Sequence, residues 1–192
     1  MINIVLFGPP GAGKGTQSDK IIDKFSLTHI STGDLFRKHL SEGTQLGMIA
    51  KKYMDDGNLV PDEVVIKMVE LVIEACIDCP GVIFDGFPRT VNQAIALDVM
   101  LHNYDKSISG MILLEVDEIE LKKRILLRGK TSGRTDDQDI EKINNRIQVY
   151  KNETLPVANY YKTQNKLNII NGIGSIDQIF GDICIVIDSL PR

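Results

Sequence analysis

Short apolar runs alternate along this chain with stretches of helical period. Ile2–Phe7 is a mostly apolar run that stops at a Gly/Pro cluster, the pattern of a buried strand. Residues 16–25 predict a helix and Thr28–Ser31 a short strand. Pro61 opens a helix whose apolar residues fall at Val64, Val65, Met68, Val69, Val72, Ile73 and Cys76. That stripe has helical period, and proline suits a first helical turn. Met68 reads there as core filler. Residues 82–84 predict a strand ending at Asp85, and residues 91–101 a helix. A fourth strand follows over 111–115. Asp117 then caps a helix that runs to Gly129. Residues 167–170 predict a fifth strand. The last helix spans 175–190, with Ser175-x-x-Gln178 as a capping box. Strands alternating with helices imply an α/β fold, a parallel sheet covered on both faces. Two segments break the rhythm. Residues 31–60 predict two helices with no strand between them, and residues 129–137 are polar and lack apolar period. Both read as excursions from the core.

Composition narrows the class. The 192 residues carry 22 basic and 26 acidic side chains, a net charge of −4, and 43% hydrophobic residues. This excludes a disordered chain and argues against a general nucleic-acid binder. No apolar run approaches the ~18 residues of a bilayer span; the longest C-terminal candidate is five residues, Ile183 to Ile187. The N-terminus reads as a core strand and not as a signal peptide. Three cysteines, Cys76, Cys79 and Cys184, suit a reducing cytosol better than a disulfide framework, so the expected location is the cytoplasm. Cys76-x-x-Cys79 has no second pair to complete a four-ligand zinc site and reads as plain core or surface cysteine. With no extended apolar stripe left exposed, a monomer is expected.

The chemistry begins at Gly8-Pro9-Pro10-Gly11-Ala12-Gly13-Lys14-Gly15-Thr16, between the first strand and first helix. Glycines let the backbone curl and aim successive N–H groups inward. The helix N-terminus adds the positive end of its dipole. Lys14 supplies a point charge for outer phosphates, and Thr16 can help hold magnesium. Asp85 ends a strand beside this loop, where a carboxylate can organise Mg2+ through its waters. Gly15 interrupts the usual G-x4-G-K-[ST] pattern, which points to a subtype of phosphate loop.

Further motifs follow in order: Ser31-Thr32-Gly33-Asp34-Leu35-Phe36-Arg37, Gly57-x-x-Val60-Pro61-Asp62, and Asp85-Gly86-Phe87-Pro88-Arg89-Thr90-x-x-Gln93. Arg124-x3-Arg128-Gly129, Arg134-x-Asp136-Asp137 and Arg146 complete the set. Together with the phosphate loop they resemble the adenylate kinases, a family of nucleoside monophosphate kinases, over essentially the whole chain. The resemblance implies a P-loop NTPase-type five-stranded parallel core made of residues 1–30, 61–126 and 138–192. It also implies a monophosphate-binding subdomain over 31–60 and a short lid over 127–137. A lid this short and without cysteine implies no zinc.

The expected reaction is reversible, Mg2+-dependent phosphoryl transfer from ATP to AMP, giving two ADP. Residues 11–16 (Gly11, Ala12, Gly13, Lys14, Gly15, Thr16) would hold ATP phosphates. Arg124 and Gly174 would flank the ATP adenine. Arg128, Arg134 and Arg146 would reach the transferring group. Arg37 and Arg89 would clamp the AMP phosphate. Thr32 and Gln93 match the adenine-selective pattern, with Asn58, Leu59, Val60, Gly86, Phe87 and Pro88 completing the AMP site. Six of the seven arginines fall in these motifs, Arg192 being the exception. Guanidinium forks suit phosphate oxygens better than lysine does. The attacking phosphate oxygen is already ionised, so no general base is needed. His29, His39 and His102 read as structural or surface residues.

Three rivals stand against this reading. A UMP/CMP kinase would differ at the base-reading positions. A GTPase needs N-K-x-D, which Asn165-Lys166-Leu167-Asn168 fails to complete, and the D-x-x-G switch is absent after Asp85. A non-catalytic P-loop nucleotide-binding module would be expected to have lost Lys14 or some motif arginines. One spacing departs from the family pattern: Arg134 and Arg146 are one residue further apart. Either a loop absorbs the extra residue before a helix starts, or Arg146 is displaced by ~100° around it.

Overall fold

The structure is a computed structural model that describes residues 2–76 and 78–191. Met1 of the N-terminal run and Arg192, the arginine outside the motifs, lie outside the described residues.

Five strands form one parallel sheet: β1 (Ile2–Phe7), β2 (Thr28–Ser31), β3 (Gly81–Asp85), β4 (Gly110–Glu115) and β5 (Leu167–Asn171). Their order is β2-β3-β1-β4-β5. Side chains of a strand point alternately to opposite faces, and the two cores follow that rule. Val5, Phe7, Val82, Phe84, Met111 and Leu113 line one face. Ile4, Leu6, Ile83, Ile112 and Leu114 line the other. Central strand β1 is buried throughout, whereas edge strand β5 leaves Ile169 exposed.

Helices cover both faces. The first face packs against α4 (Asp62–Ala75) through Val65, Met68 and Val69, α5 (Val91–His102) through Ala94 and Leu97, and α8 (Pro156–Thr163) through Val157 and Tyr161. The second packs against α1 (Lys14–Phe25) through Ile21, α6 (Glu118–Gly129) through Leu121, and α9 (Ile176–Ser189) through Ile179, Ile183 and Ile187. Each such burial contributes about 1.5–3 kcal/mol, which fixes register as well as stability. Buried Tyr161 satisfies its hydroxyl on Asp98 at 3.3 Å.

Between β2 and α4 lie α2 (Thr32–Ser41) and α3 (Gln45–Met54) with no strand between them. Ser31 caps α2 by accepting the Asp34 N–H, and Thr44 caps α3 by accepting the Gly47 N–H. After α6 the chain makes a single 3-10 turn, Thr135–Asp137, then α7 (Ile140–Val149) begins on an Asp139 cap. A π-helical turn, Tyr150–Thr154, joins α7 to α8. The sequence reading expected a helix carrying Arg146 but gave no bounds to helices in 138–166, where the π turn shifts the apolar stripe between α7 and α8. The first helix starts two residues earlier than expected, at Lys14. The Ser175–Gln178 capping box is present on α9. Among the described residues, no helix is long and apolar enough to cross a membrane.

Candidate active site

Strand order reverses at β1, whose neighbours β3 and β4 return to it by separate crossovers. Such a switch point opens a crevice at the carboxyl ends of the strands. A cleft of about 860 Å³ lies there. Gly11, Gly13, Lys14, Gly15 and Thr16 line it, with Asp85, Arg124, Arg128, Arg134 and Arg146. Thr32, Arg37, Asn58, Leu59, Val60, Gly86, Phe87, Pro88, Arg89 and Gln93 line it as well. Ala12 and Gly174 are not among the lining residues. Ala12 is buried in the second core, and its N–H donates to the Pro9 carbonyl at 3.1 Å. Gly174 sits in the turn ahead of α9 with φ +145°.

The phosphate loop ends in Gly13, the α1 N-cap, at φ 95°. That left-handed conformation favours glycine and needs no side-chain cap. The first helical bond runs from the Gln17 N–H to the Gly13 carbonyl. The N–H groups ahead of it are those a helix leaves without internal acceptors. Lys14 Nζ donates to the Gly8 and Pro9 carbonyls at 2.7 and 3.0 Å. Removal from water lowers its pKa to about 8, with the facing Asp85 carboxylate working the other way and Arg89 and Arg128 adding to the lowering.

Asp85 ends β3 in the cleft beside the loop, where the sequence reading put it, but with His29 as a neighbour. His29 lines the cleft, and its Nε2 lies 3.8 Å from Asp85 Oδ2. The parallel register pairs His29 with Ile83, so Asp85 projects from the same face two residues on. His29 is thus a site residue by position. Burial works to raise the Asp85 pKa, but His29 and the Lys14 charge more than offset it and hold the carboxyl below its ordinary value. The same carboxylate raises the His29 pKa against the opposing effect of burial. His39 instead bonds Thr44 at 3.1 Å, and His102 is exposed at the end of α5.

The arginines are held by acids that the sequence reading did not place in the site. Asp137, fully buried, accepts a fork from Arg128, Nε at 2.6 Å and a terminal nitrogen at 2.9 Å. It also accepts from Arg146 at 2.7 Å, and Asp136 meets the same Arg146 nitrogen at 2.7 Å. Burial would raise the Asp137 pKa, yet these partners hold it below the usual carboxylate value. The adjacent Asp136-Asp137 pair, set between arginines in sequence, was the available signal. A 3-10 turn and the Asp139 cap occupy 135–139 ahead of α7, and Arg146 faces the cleft. Arg37 pairs with Asp34 at 2.5 Å. Removal from water, then the neighbouring Arg146 charge, lowers the Arg89 pKa. For Arg134, removal from water and then the Arg37 and Arg128 charges do the same.

The opposite wall is built by 56–60 and 86–93. Gly57, at φ +73°, packs under the Arg146 stem, where an added Cβ would lie 2.7 Å from Cγ. Asn145 Nδ2 ties α7 to this wall through the Asp56 carbonyl at 2.8 Å and Asn58 Oδ1 at 3.0 Å. Thr32 donates to the Gly86 carbonyl at 2.8 Å. Gln93 is buried, accepts the Arg89 N–H at 2.7 Å and donates to Asp62 at 2.7 Å. Thr90 also bonds Asp62 at 2.8 Å, and its hydroxyl accepts the Gln93 N–H. Capping and cleft lining therefore coincide at Gln93.

No cluster of three or more His, Cys, Asp or Glu side chains able to hold a metal occurs among the described residues. One carboxylate and one hydroxyl, Asp85 and Thr16, do line the cleft beside the loop. This donor set fits a magnesium ion that arrives with phosphates and keeps most of its waters.

Comparison with known proteins agrees with this geometry. A family model described as adenylate kinase matches residues 6–166. The chain is 52% identical over 190 residues to an adenylate kinase of Flavobacterium psychrophilum, covering 99% of this chain and 100% of that one. It is 50% identical over 190 residues to one of Bacteroides fragilis, at the same coverage. With one of Porphyromonas gingivalis it shares 43% over 192 residues, all of this chain and 98% of the relative. An interrupted phosphate loop facing clustered arginines, together with identity along the full length, leads to one conclusion: the chain belongs to the adenylate kinase family.

Proposed function

We propose that the protein transfers the terminal phosphoryl group of Mg·ATP to AMP, reversibly, yielding two ADP. The observation that carries this is the single cleft in which Lys14 and six arginines, 37, 89, 124, 128, 134 and 146, converge. An acidic protein thereby presents a cationic pocket sized for two nucleotides. The loop N–H groups and Lys14 hold the ATP phosphates, and Arg124 flanks its base. Arg37 and Arg89 bind the AMP phosphate. Arg128, Arg134 and Arg146 neutralise the group in transit. An AMP phosphate oxygen attacks the γ-phosphorus as the bond to the β-bridging oxygen breaks. The attacker is already ionised, so positioning and charge neutralisation suffice. Magnesium, held by Thr16, by Asp85 through water and by the phosphates, would offset phosphate charge.

Residues 31–60 act as the monophosphate-binding part and 127–137 as the lid. Their closure over both substrates excludes water and prevents hydrolysis. Thr32 and Gln93, with the backbone near Val60, read the adenine. The protein works as a cytoplasmic monomer on small nucleotides.

Nucleotide chromatography tests this directly. With magnesium and ATP, ADP should rise when AMP is added and not with CMP, UMP or GMP; ADP alone should return ATP and AMP. Formation of CDP or UDP would transfer the protein to the pyrimidine kinases and discredit Thr32 and Gln93 as base readers. Tight ATP binding without transfer would leave only a nucleotide-binding module.

Lys14 gives a second check. Its pKa of about 8 in the free protein means the ammonium is lost as pH rises through that value. Bound triphosphate favours the charged form. ATP binding should therefore take up little proton at pH 7 and approach one proton near pH 9. Calorimetry in buffers of different ionisation enthalpy measures this. Equal uptake at both pH values would exclude Lys14 as the titrating contact.

A further inference from the structure

The Cys76-x-x-Cys79 pair is chemistry that the cleft does not use. Cys76 is the C-cap of α4, and the Cys79 N–H donates to the Cys76 carbonyl at 3.0 Å. A turn closed by an i to i+3 bond brings its two end Cα atoms within the range a disulfide spans, and each thiol is influenced by the other and by the Thr28 side chain. Thr28 opens β2 and pairs with Val82 at the start of β3. The pair therefore sits at the amino ends of the strands, across the sheet from the cleft. Neither cysteine lines the cleft, nor does Thr28. Both thiols are part-exposed, whereas Cys184 is buried in the α9 face.

The two thiols are not equivalent. The Thr28 contact, then the Cys76 contact, lowers the Cys79 pKa. Removal from water, then the Cys79 contact, raises that of Cys76. Lys106 adds a positive charge near both. An accessible thiol with raised thiolate character beside a second thiol is the arrangement that thiol–disulfide exchange requires. A helix N-terminus commonly supplies that polarisation; here the pair lies past a helix C-terminus, and Thr28 and Lys106 supply it.

We propose that Cys76 and Cys79 form a reversible dithiol–disulfide site that exchanges with small-molecule disulfides. The Cys79 thiolate attacks one sulfur of the disulfide RSSR. The S–S bond breaks, RS⁻ leaves and takes up the proton that Cys79 lost. The Cys76 sulfur, deprotonated, then attacks Cys79 in the mixed disulfide and expels the second RS⁻, which is protonated in turn. Two protein thiols and RSSR become one intramolecular disulfide and two RSH. The protein gives up two electrons and the oxidant gains them. Excess thiol reverses both steps. The site does not depend on the phosphoryl-transfer reading, and its readout is independent of activity.

The test uses the full chain and oxidised glutathione, with acid quenching, alkylation and mass spectrometry of tryptic peptides. The peptide spanning residues 68–89 contains both thiols. It should lose two hydrogens and regain them with dithiothreitol, while Cys184 stays reduced. Cys76→Ser should stop at a glutathione adduct on Cys79. Cys79→Ser should react at least about tenfold more slowly, because the more polarised thiol is gone. Cleft occupancy is read in parallel by ATP binding, which should be unchanged in both variants and so shows that they are folded. Absence of the internal disulfide in the parent chain overturns the proposal, whether or not a Cys79 adduct forms. So does equal reactivity of the two folded serine variants.

Discussion

Arg128→Ala and Arg89→Ala are each expected to lower turnover by roughly 10²–10³-fold while leaving the fold intact, the scale of losing one preorganised donor to developing charge. Both side chains line the cleft, and both touch it from parts of the chain that add little to the core. Arg128 lies at the end of α6, with its fork on Asp137. Arg89 follows β3, with Nε bonded to the Gly86 carbonyl at 2.8 Å. Neither substitution opens a cavity in either sheet core; Arg89→Ala should move the thermal midpoint by little, whereas Arg128→Ala also takes the fork from buried Asp137 and should lower it. Steady-state kinetics beside thermal unfolding separates the two effects. Near-normal activity in either variant would sink that residue's assignment. An Arg→Lys change keeps the charge and loses the fork, and should recover only part of the rate.

The second large effect concerns Asp137. Its carboxylate is buried and serves two arginines at once. Asp137→Ala removes charge-assisted hydrogen bonds of a kind that contribute about 1.5–3 kcal/mol each, and leaves two cations side by side. Arg128 stays about a third open to water, which places its share at the low end. Stability should fall by about 2 kcal/mol at neutral pH, measured by urea unfolding. Turnover should fall with it, because Arg128 and Arg146 lose the anchor that aims them. The sign with pH follows from the depressed pKa. The carboxyl sits lower in the folded than in the unfolded protein. Its contribution is therefore fully present above the ordinary carboxylate value near ~4, and is lost as pH falls through the folded value. The gap between parent and variant should shrink on acidification. A gap that is the same at pH 7 and pH 3 would show that the ion pair is not its source.

Much of the scaffold was legible in the chain itself. Short apolar runs marked β1, β3, β4 and β5, and a Gly/Pro cluster marked the end of β1. The phosphate loop declared itself because its glycines, lysine and helix start are local in sequence. Most of the cleft was legible too, through Arg37, Arg89, Arg124, Arg128, Arg134 and Arg146, since arginine in an acidic chain is scarce enough to be informative. The segment 138–166 was less readable. A π turn at Tyr150–Thr154 puts one extra residue into the repeat, so no single period describes both flanks.

The sequence by itself determined the alternating α/β order and the phosphate loop, because those depend on neighbours within a few residues; the arginines stood out through motifs that resemble the adenylate kinases. The tertiary structure alone decided which acids steady the arginines. It also decided that His29 faces Asp85, that Asn145 ties α7 to Asp56 and Asn58, and that Thr28 meets the cysteine pair. Each of these joins residues distant in the chain through strand register or helix packing. Such contacts arise only when the apolar faces of the helices settle on the sheet, and a polar side chain carries no local mark of the partner that packing will bring to it.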